Sequence, residues 1–331
     1  MEKNTKSKIA GAFKKYGILF VLAALVIVSG ILSPYFFKSQ NILNVLRQIS
    51  VVAIITCAET MLIIAGYIDL SVGAIIALTG CISASIGANM NNPYLAVVVA
   101  MAVGAVCGLL SGSMVAFFNV PAFISTLAVM TICKGAVLLY TDGFSIYNIG
   151  DMAKLGQGKI GFLPIPVFAM IIVIAISWIL LERTKYGRSL FAIGGNRKAA
   201  VASGINDKAI TMKVYLYTGI LAGLAGVILA ARLNAGMPTA GDGYEMDAIS
   251  AAVVGGTSFS GGSGSIFGSL IGALIIGVLN NLLNLLGVGS SYQQIVRGII
   301  IAVAVILDLM SKKGGIKSMK KNKKVVAEKA V

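Results

Sequence analysis

The chain has 331 residues, 57% hydrophobic and 12% charged; soluble domains carry about 45–50% apolar and about 25% charged residues, so the composition indicates an integral membrane protein. A formal charge of +15 would suit a nucleic-acid binder, but twenty of the 27 basic residues fall in residues 1–17, in 182–213 or after Met310. That is the distribution of a multi-pass protein with both ends and one long loop in the cytoplasm, and it excludes nucleic acid as a partner.

Histidine is absent, which removes the commonest metal ligand and general base. Cys57, Cys81, Cys107 and Cys133 each lie in an apolar run with no C-x-x-C pair. They read as buried small hydrophobes, with no disulfide, metal or other cofactor expected.

Five lysines in the basic tail 1–17 precede an apolar run at 18–32. No small-x-small cleavage site follows, so the run reads as an uncleaved first helix and not as a signal peptide. Residues 33–48 are expected outside, although Lys38 and Arg47 fit that side poorly. The run 50–65 is then interrupted by Gly66-Tyr67-Ile68-Asp69-Leu70-Ser71-Val72-Gly73 before a second run to Ala88. Asp69 and Ser71 are good N-cap residues for the following helix. The interruption reads either as a capped turn at the membrane surface or as backbone facing a water-filled path, with Glu59, Asp69 and Ser71 as tentative path or gate residues.

Asn91-Asn92-Pro93 marks a turn, and spans follow at 95–118 and 122–140. Gly104, Gly108 and Gly112 share one helix face and predict close helix packing. Lys134 is open between a pathway role and a charge reaching for the interface. The Gly-rich stretch 142–163 is expected outside, 167–181 returns inward, and 182–213 is the cytoplasmic loop. The run 213–231 crosses outward with Gly219 and Gly223 four apart, and the acidic segment 237–247 is expected at the outer face.

A second interruption, Gly255 to Ser265, separates 248–254 from a run to Leu286 in which Gly264, Gly268 and Gly272 recur every four residues. Paired interruptions point to internal repeats around a translocation pathway. Asn280 and Asn284 share a face and would suit either a hydroxylated solute or interhelical hydrogen bonds. A last span at 292–309, with Arg297 near its outer end, delivers the basic tail 311–331 to the cytoplasm. The expected fold is an all-α integral membrane protein of about ten transmembrane helices with two interrupted pairs, occupying 18–310.

Several stretches together resemble the inner-membrane permease of ribose-type ABC importers, in the superfamily that also moves other sugars and branched-chain amino acids. They are Gly66–Gly73, Gly194-Gly195-Asn196 with Ala199-Ala200 and Ser203-Gly204-Ile205, Pro238–Ile249, Gly255-Gly256-Thr257-Ser258 with Ser260-Gly261-Gly262, and Asn280-Asn281 with Leu285–Val288. The resemblance implies a type II-like permease fold, a path formed by two permeases of the same or paralogous sequence, a separate ABC ATPase below and an extracytoplasmic sugar-binding protein above. It assigns ATPase coupling to Gly195, Asn196, Ala199, Ala200, Ser203 and Gly204, and places the chain in a bacterial cytoplasmic (inner) membrane.

The chain departs from that pattern twice. It has Gly66-Tyr67 where the pattern has Gly-Gly, and Arg197 and Lys198 where acidic residues usually follow Gly-Gly-Asn. The expected function is the permease of an ATP-driven importer for a simple sugar such as ribose. The chain has no nucleotide motif and no nucleophile motif of its own, so no enzymatic activity is expected of it. The alternative is an ion-coupled secondary transporter using intramembrane charges such as Glu59, Asp69, Lys134 or Arg297.

Overall fold

The computed structural model describes the backbone of residues 2–306, 308 and 310, and side chains from Gly17 onward. The basic tail 311–331 lies outside the described residues. The helices are α1 (Glu2–Leu32), α2 (Ser39–Ile64), α3 (Val72–Met90), α4 (Pro93–Ala116), α5 (Ala122–Thr141), α6 (Ala153–Gln157), α7 (Ile165–Trp178), α8 (Lys185–Ala202), α9 (Asp207–Leu233), α10 (Tyr244–Val254), α11 (Ile266–Leu285) and α12 (Ser290–Ile306). A π-helical turn, Ile179–Arg183, extends α7. Seven helices are long and apolar enough to cross a bilayer, and 17–32 of α1 and α12 are shorter apolar segments. The protein is thus an all-helical, multi-pass membrane protein.

Local chemistry sets the boundaries. Asn92 accepts from the Leu95 N–H at 3.1 Å and Pro93 opens α4, while Asn206 caps α9 through the Ala209 N–H at 3.0 Å; both are standard N-cap arrangements that satisfy donors no helix can pair. The basic stretch 1–17 is helical from Glu2, where α1 begins. Segment 33–48 also differs from expectation, being helical from Ser39. Arg47 is tolerated in that helix because its guanidinium donates to Asn44 Oδ1 at 3.1 Å and to the Gln157 carbonyl at 3.0 Å.

The glycine faces pack as their spacing predicts. A Cβ at Gly104 would strike the Gly219 carbonyl oxygen, and one at Gly219 would strike that of Gly104. Gly108 meets the Tyr215 carbonyl oxygen and Gly223 meets that of Ala100, so α4 and α9 run antiparallel with backbones in contact. Gly268 and Gly272 lie against the carbonyl oxygens of Gly255 and Ala251, which seats α11 on α10. The main apolar core lies among α2, α3, α4, α5, α7 and α9, with Val51, Met61, Ile75, Cys107, Cys133 and Tyr215 inside it. Among the described residues the four cysteines are free and buried; the Cys107 and Cys133 sulfurs meet at 3.6 Å between α4 and α5.

Residues 142–163 fold onto the C-terminal ends of α3 and α9 and the N-terminal end of α4. The two-residue strands Ile146–Tyr147 and Ala235–Gly236 pair antiparallel, and Ile149 and Met152 are buried against Ala84, Ala96 and Ala100.

Candidate functional site

The two chain interruptions and the 182–213 loop converge. After Ile64 the chain turns at Gly66 (φ 84°) and runs through Asp69 into α3. Gly80 of α3 abuts Gly226 of α9. At 1.5 Å per residue, the first turn of α3 lies roughly level with Gly219, about 9 Å above Lys213 and about 20 Å below Arg232 along α9. A helix N-terminus therefore sits within the apolar layer. Asp69 is fully buried there, and its Oδ1 accepts from the Ser71 N–H at 2.7 Å and the Ser71 hydroxyl at 2.5 Å. Its Oδ2 has no hydrogen-bond partner.

The acidic segment 237–247 differs from its expected place at the outer face. After α9 it dips inward until the Gly241 backbone touches Gly73, and the Glu245 carboxylate lies against the first turn of α3. Close glycine–glycine contact makes the descent possible, and the positive end of α3 favours the carboxylates of Asp69 and Glu245 beside it. From Tyr244, α10 runs on for 11 residues toward the 255–265 interruption. The 19-residue α3 and the 11-residue α10 thus start from one point inside the bundle and run in opposite directions, the arrangement of discontinuous helices that lets backbone ends face a path instead of lipid.

Glu59 of α2 is fully buried close to Asp69 and Glu245. Neither of its carboxyl oxygens has a hydrogen-bond partner. A buried carboxyl left in this way is costly, which makes Glu59 a candidate functional position. Glu59, Asp69 and Ser71 are therefore brought together. Asn280 and Asn284 are not. Asn280 is buried and donates to Asp247 Oδ2 at 3.3 Å, whereas Asn284 is exposed and accepts from Gln293 at 2.8 Å.

Asp247 also forms an ion pair with Arg297 of α12 at 3.1 Å, so Arg297 is an interior partner of α10. Lys134 pairs with Asp242 at 2.9 Å. Asn281 exchanges amide hydrogen bonds with Asn41 of α2 at 2.9 and 3.1 Å, an interhelical tie. At the outer ends of α2 and α9, Asn44, Arg47, Gln48, Gln157 and Arg232 line a polar cavity of about 490 Å³.

The helix α8 is two helices. Asn196 is extended (φ −159°, ψ 97°) and its Oδ1 accepts from the Ala199 N–H at 3.1 Å, making it the N-cap of a short helix over 197–202. Gly204 (φ 87°) ends that helix: its N–H reaches the Val201 carbonyl at 2.9 Å while the Ile205 N–H reaches that of Ala200 at 3.1 Å, the paired bonds of a Schellman cap. Asn196 and Gly204 thus have structural reasons for their identity. Gly195, Asn196, Ala199, Ser203 and Gly204 are exposed, while Ala200 is 4% exposed and points inward.

Gly194, outside the six positions implied by the resemblance, is the residue sequence reasoning passed over. A Cβ there would collide with the Ile64 carbonyl oxygen and the Gly262 amide. Nothing in the sequence separates it from Gly195, whose Cβ would meet nothing within 4 Å. The two departures from the family pattern also meet: the Arg197 guanidinium lies 5.9 Å from the centre of the Tyr67 ring.

Residues 41–305 match the family described as the branched-chain amino acid transport system / permease component. The chain belongs to this permease family. The permease is 46% identical over 301 residues to the ribose import permease protein RbsC of Bacillus subtilis, covering 90% of this chain and 94% of that one. It is 46% identical over 295 residues to RbsC of Escherichia coli K12, covering 88% and 92%. It is 41% identical over 302 residues to the D-allose transport system permease protein AlsC of the same strain, covering 90% and 93%. No solved structure gives a significant match to the permease.

Proposed function

We propose that this chain is the membrane permease subunit of an ATP-driven importer for a simple sugar, ribose or a related monosaccharide. The observation that carries the reading is the 46% identity to ribose import permeases over nearly the full length of both chains. In this reading the chain is not an enzyme. ATP is hydrolysed by a separate ABC ATPase that binds the cytoplasmic face, and sugar arrives from an extracytoplasmic binding protein. The path forms between two permeases, identical or paralogous, in a bacterial cytoplasmic (inner) membrane.

The short helix 197–202 is the coupling element. Its exposed small residues Gly195, Ala199, Ser203 and Gly204 leave room for a groove on the ATPase, with Asn196 as cap and Ala200 anchoring the helix to the permease. Arg197 and Lys198 set the charge match. Glu59, Asp69, Ser71 and Asn280 line or gate the path, and Asn284 stands at its outer end. Ten helical segments support ten crossings with both termini cytoplasmic, taking α10, about 16 Å long by rise per residue, as the completion of a crossing begun by the dipping segment before it.

The test is reconstitution in liposomes with labelled ribose. Uptake is expected only when ATP, the ATPase and the loaded binding protein are all present. Uptake by the permease alone under a proton or sodium gradient would replace this reading with ion-coupled transport through the Glu59–Asp69 cluster.

A further inference from the structure

The coupling helix does not hang from α7 and α9 alone. Gly194, three residues before its first turn, lies against the end of α2. The Ile64 carbonyl oxygen over which it sits accepts from the Gly262 N–H at 2.9 Å. Gly261 and Gly262 both have left-handed backbones (φ 78° and 75°), and a Cβ on Gly261 would come within 3.2 Å of the Cα atoms of Gly66 and Gly194. Three stretches far apart in sequence meet here backbone to backbone: the first interruption, the second interruption and the root of the coupling helix. No side chain stands between them, so no rotamer change can absorb a displacement, and close-packed contacts transmit strain.

A second contact runs in parallel. Asp207 holds the Arg197 guanidinium at 2.9 and 3.0 Å against the Tyr67 ring, within the range of a cation–π contact. The Tyr67 hydroxyl shares a hydrogen bond with Thr211 at 2.9 Å. Tyr67 is two residues from Asp69, so the exposed coupling helix touches the segment that carries the buried carboxylate.

We propose that Gly194 and the Arg197–Tyr67 pair form a transmission joint, which passes movement of helix 197–202 directly into both interruptions and so to the Asp69 turn and the foot of α10. Gly194, Arg197 and Tyr67 are positioning residues of the transport cycle. The inference rests on the coupling reading above and adds to it where the motion enters the bundle.

The test uses the full complex of permease, ATPase and loaded binding protein, and reads sugar molecules moved per ATP hydrolysed. Gly194→Ala is expected to lower that ratio at least tenfold with ATP hydrolysis kept, whereas Gly135→Ala on α5, which adds its methyl in open space, keeps the wild-type ratio. Arg197→Gln and Tyr67→Leu are each expected to lower it severalfold, and the double variant no further than the worse single one. An assembled Gly194→Ala complex with the wild-type ratio would overturn the joint.

Should Gly194→Ala fail to insert, hydrogen exchange on the wild-type complex decides. Protection in 64–71 and 255–265 should change together between nucleotide-free and ATP-trapped states, and a change confined to 197–204 would sink the proposal. The docking reading fails separately, if Ala199→Trp leaves co-purification of the ATPase unaltered.

Discussion

Asp247 is a carboxylate 5% exposed inside the bundle, answered by Arg297 at 3.1 Å and by the Asn280 amide at 3.3 Å. Removing one partner of a buried pair leaves the other charge uncompensated, which costs about 3–5 kcal/mol. Arg297→Ala should therefore lower the melting temperature of the detergent-solubilised protein strongly. The double variant Asp247→Asn/Arg297→Gln should recover most of the loss, and equal losses in both would show that the pair is not coupled. Gly204 poses a different question at the same scale. Its φ of 87° is a conformation that a Cβ disfavours, so Gly204→Ala should cost about 1 kcal/mol of local helix stability. It should reduce protection of the 197–205 amides while leaving the docking face in place. Ala199→Trp should do the reverse, keeping the helix and abolishing ATPase binding in a pull-down.

Between elements, α4 and α9 meet backbone to backbone, where Gly104 and Gly219 each face the other's carbonyl oxygen. Backbone atoms cannot rotate aside, so Gly219→Leu must push the helices apart. Overpacking of this kind costs about 1–3 kcal/mol and should show as reduced yield and melting temperature of the inserted protein. Gly135→Leu, at a position with no neighbour within 4 Å, should change neither. This contact was legible beforehand, because a four-residue glycine spacing has one simple structural use. The partners of Asn280 were not, since an amide on a helix face serves a solute or another helix equally well. Only the position of α10 assigns it to Asp247.

For the whole molecule, the proposed topology puts the 197–202 helix in the cytoplasm and the Gly143 turn outside. A cysteine at Lys198 in a background lacking the native four should react with a membrane-impermeant maleimide only in inverted vesicles, and one at Gly143 only in intact cells. Labelling of both from one side would break the proposed topology.

The sequence by itself settled the membrane class, the helix-packing glycines, the two interruptions and the permease resemblance, because each is written in local composition or in short-range spacing. It misplaced the 237–247 segment, whose acidic character reads as surface; its dip toward α3 depends on Gly73 and Gly241 touching across 168 positions of chain. It also could not tell Gly194 from Gly195. Adjacent residues on one helix differ in what lies opposite them, and that is decided only when the ends of α2, α8 and α10 are brought to the same point.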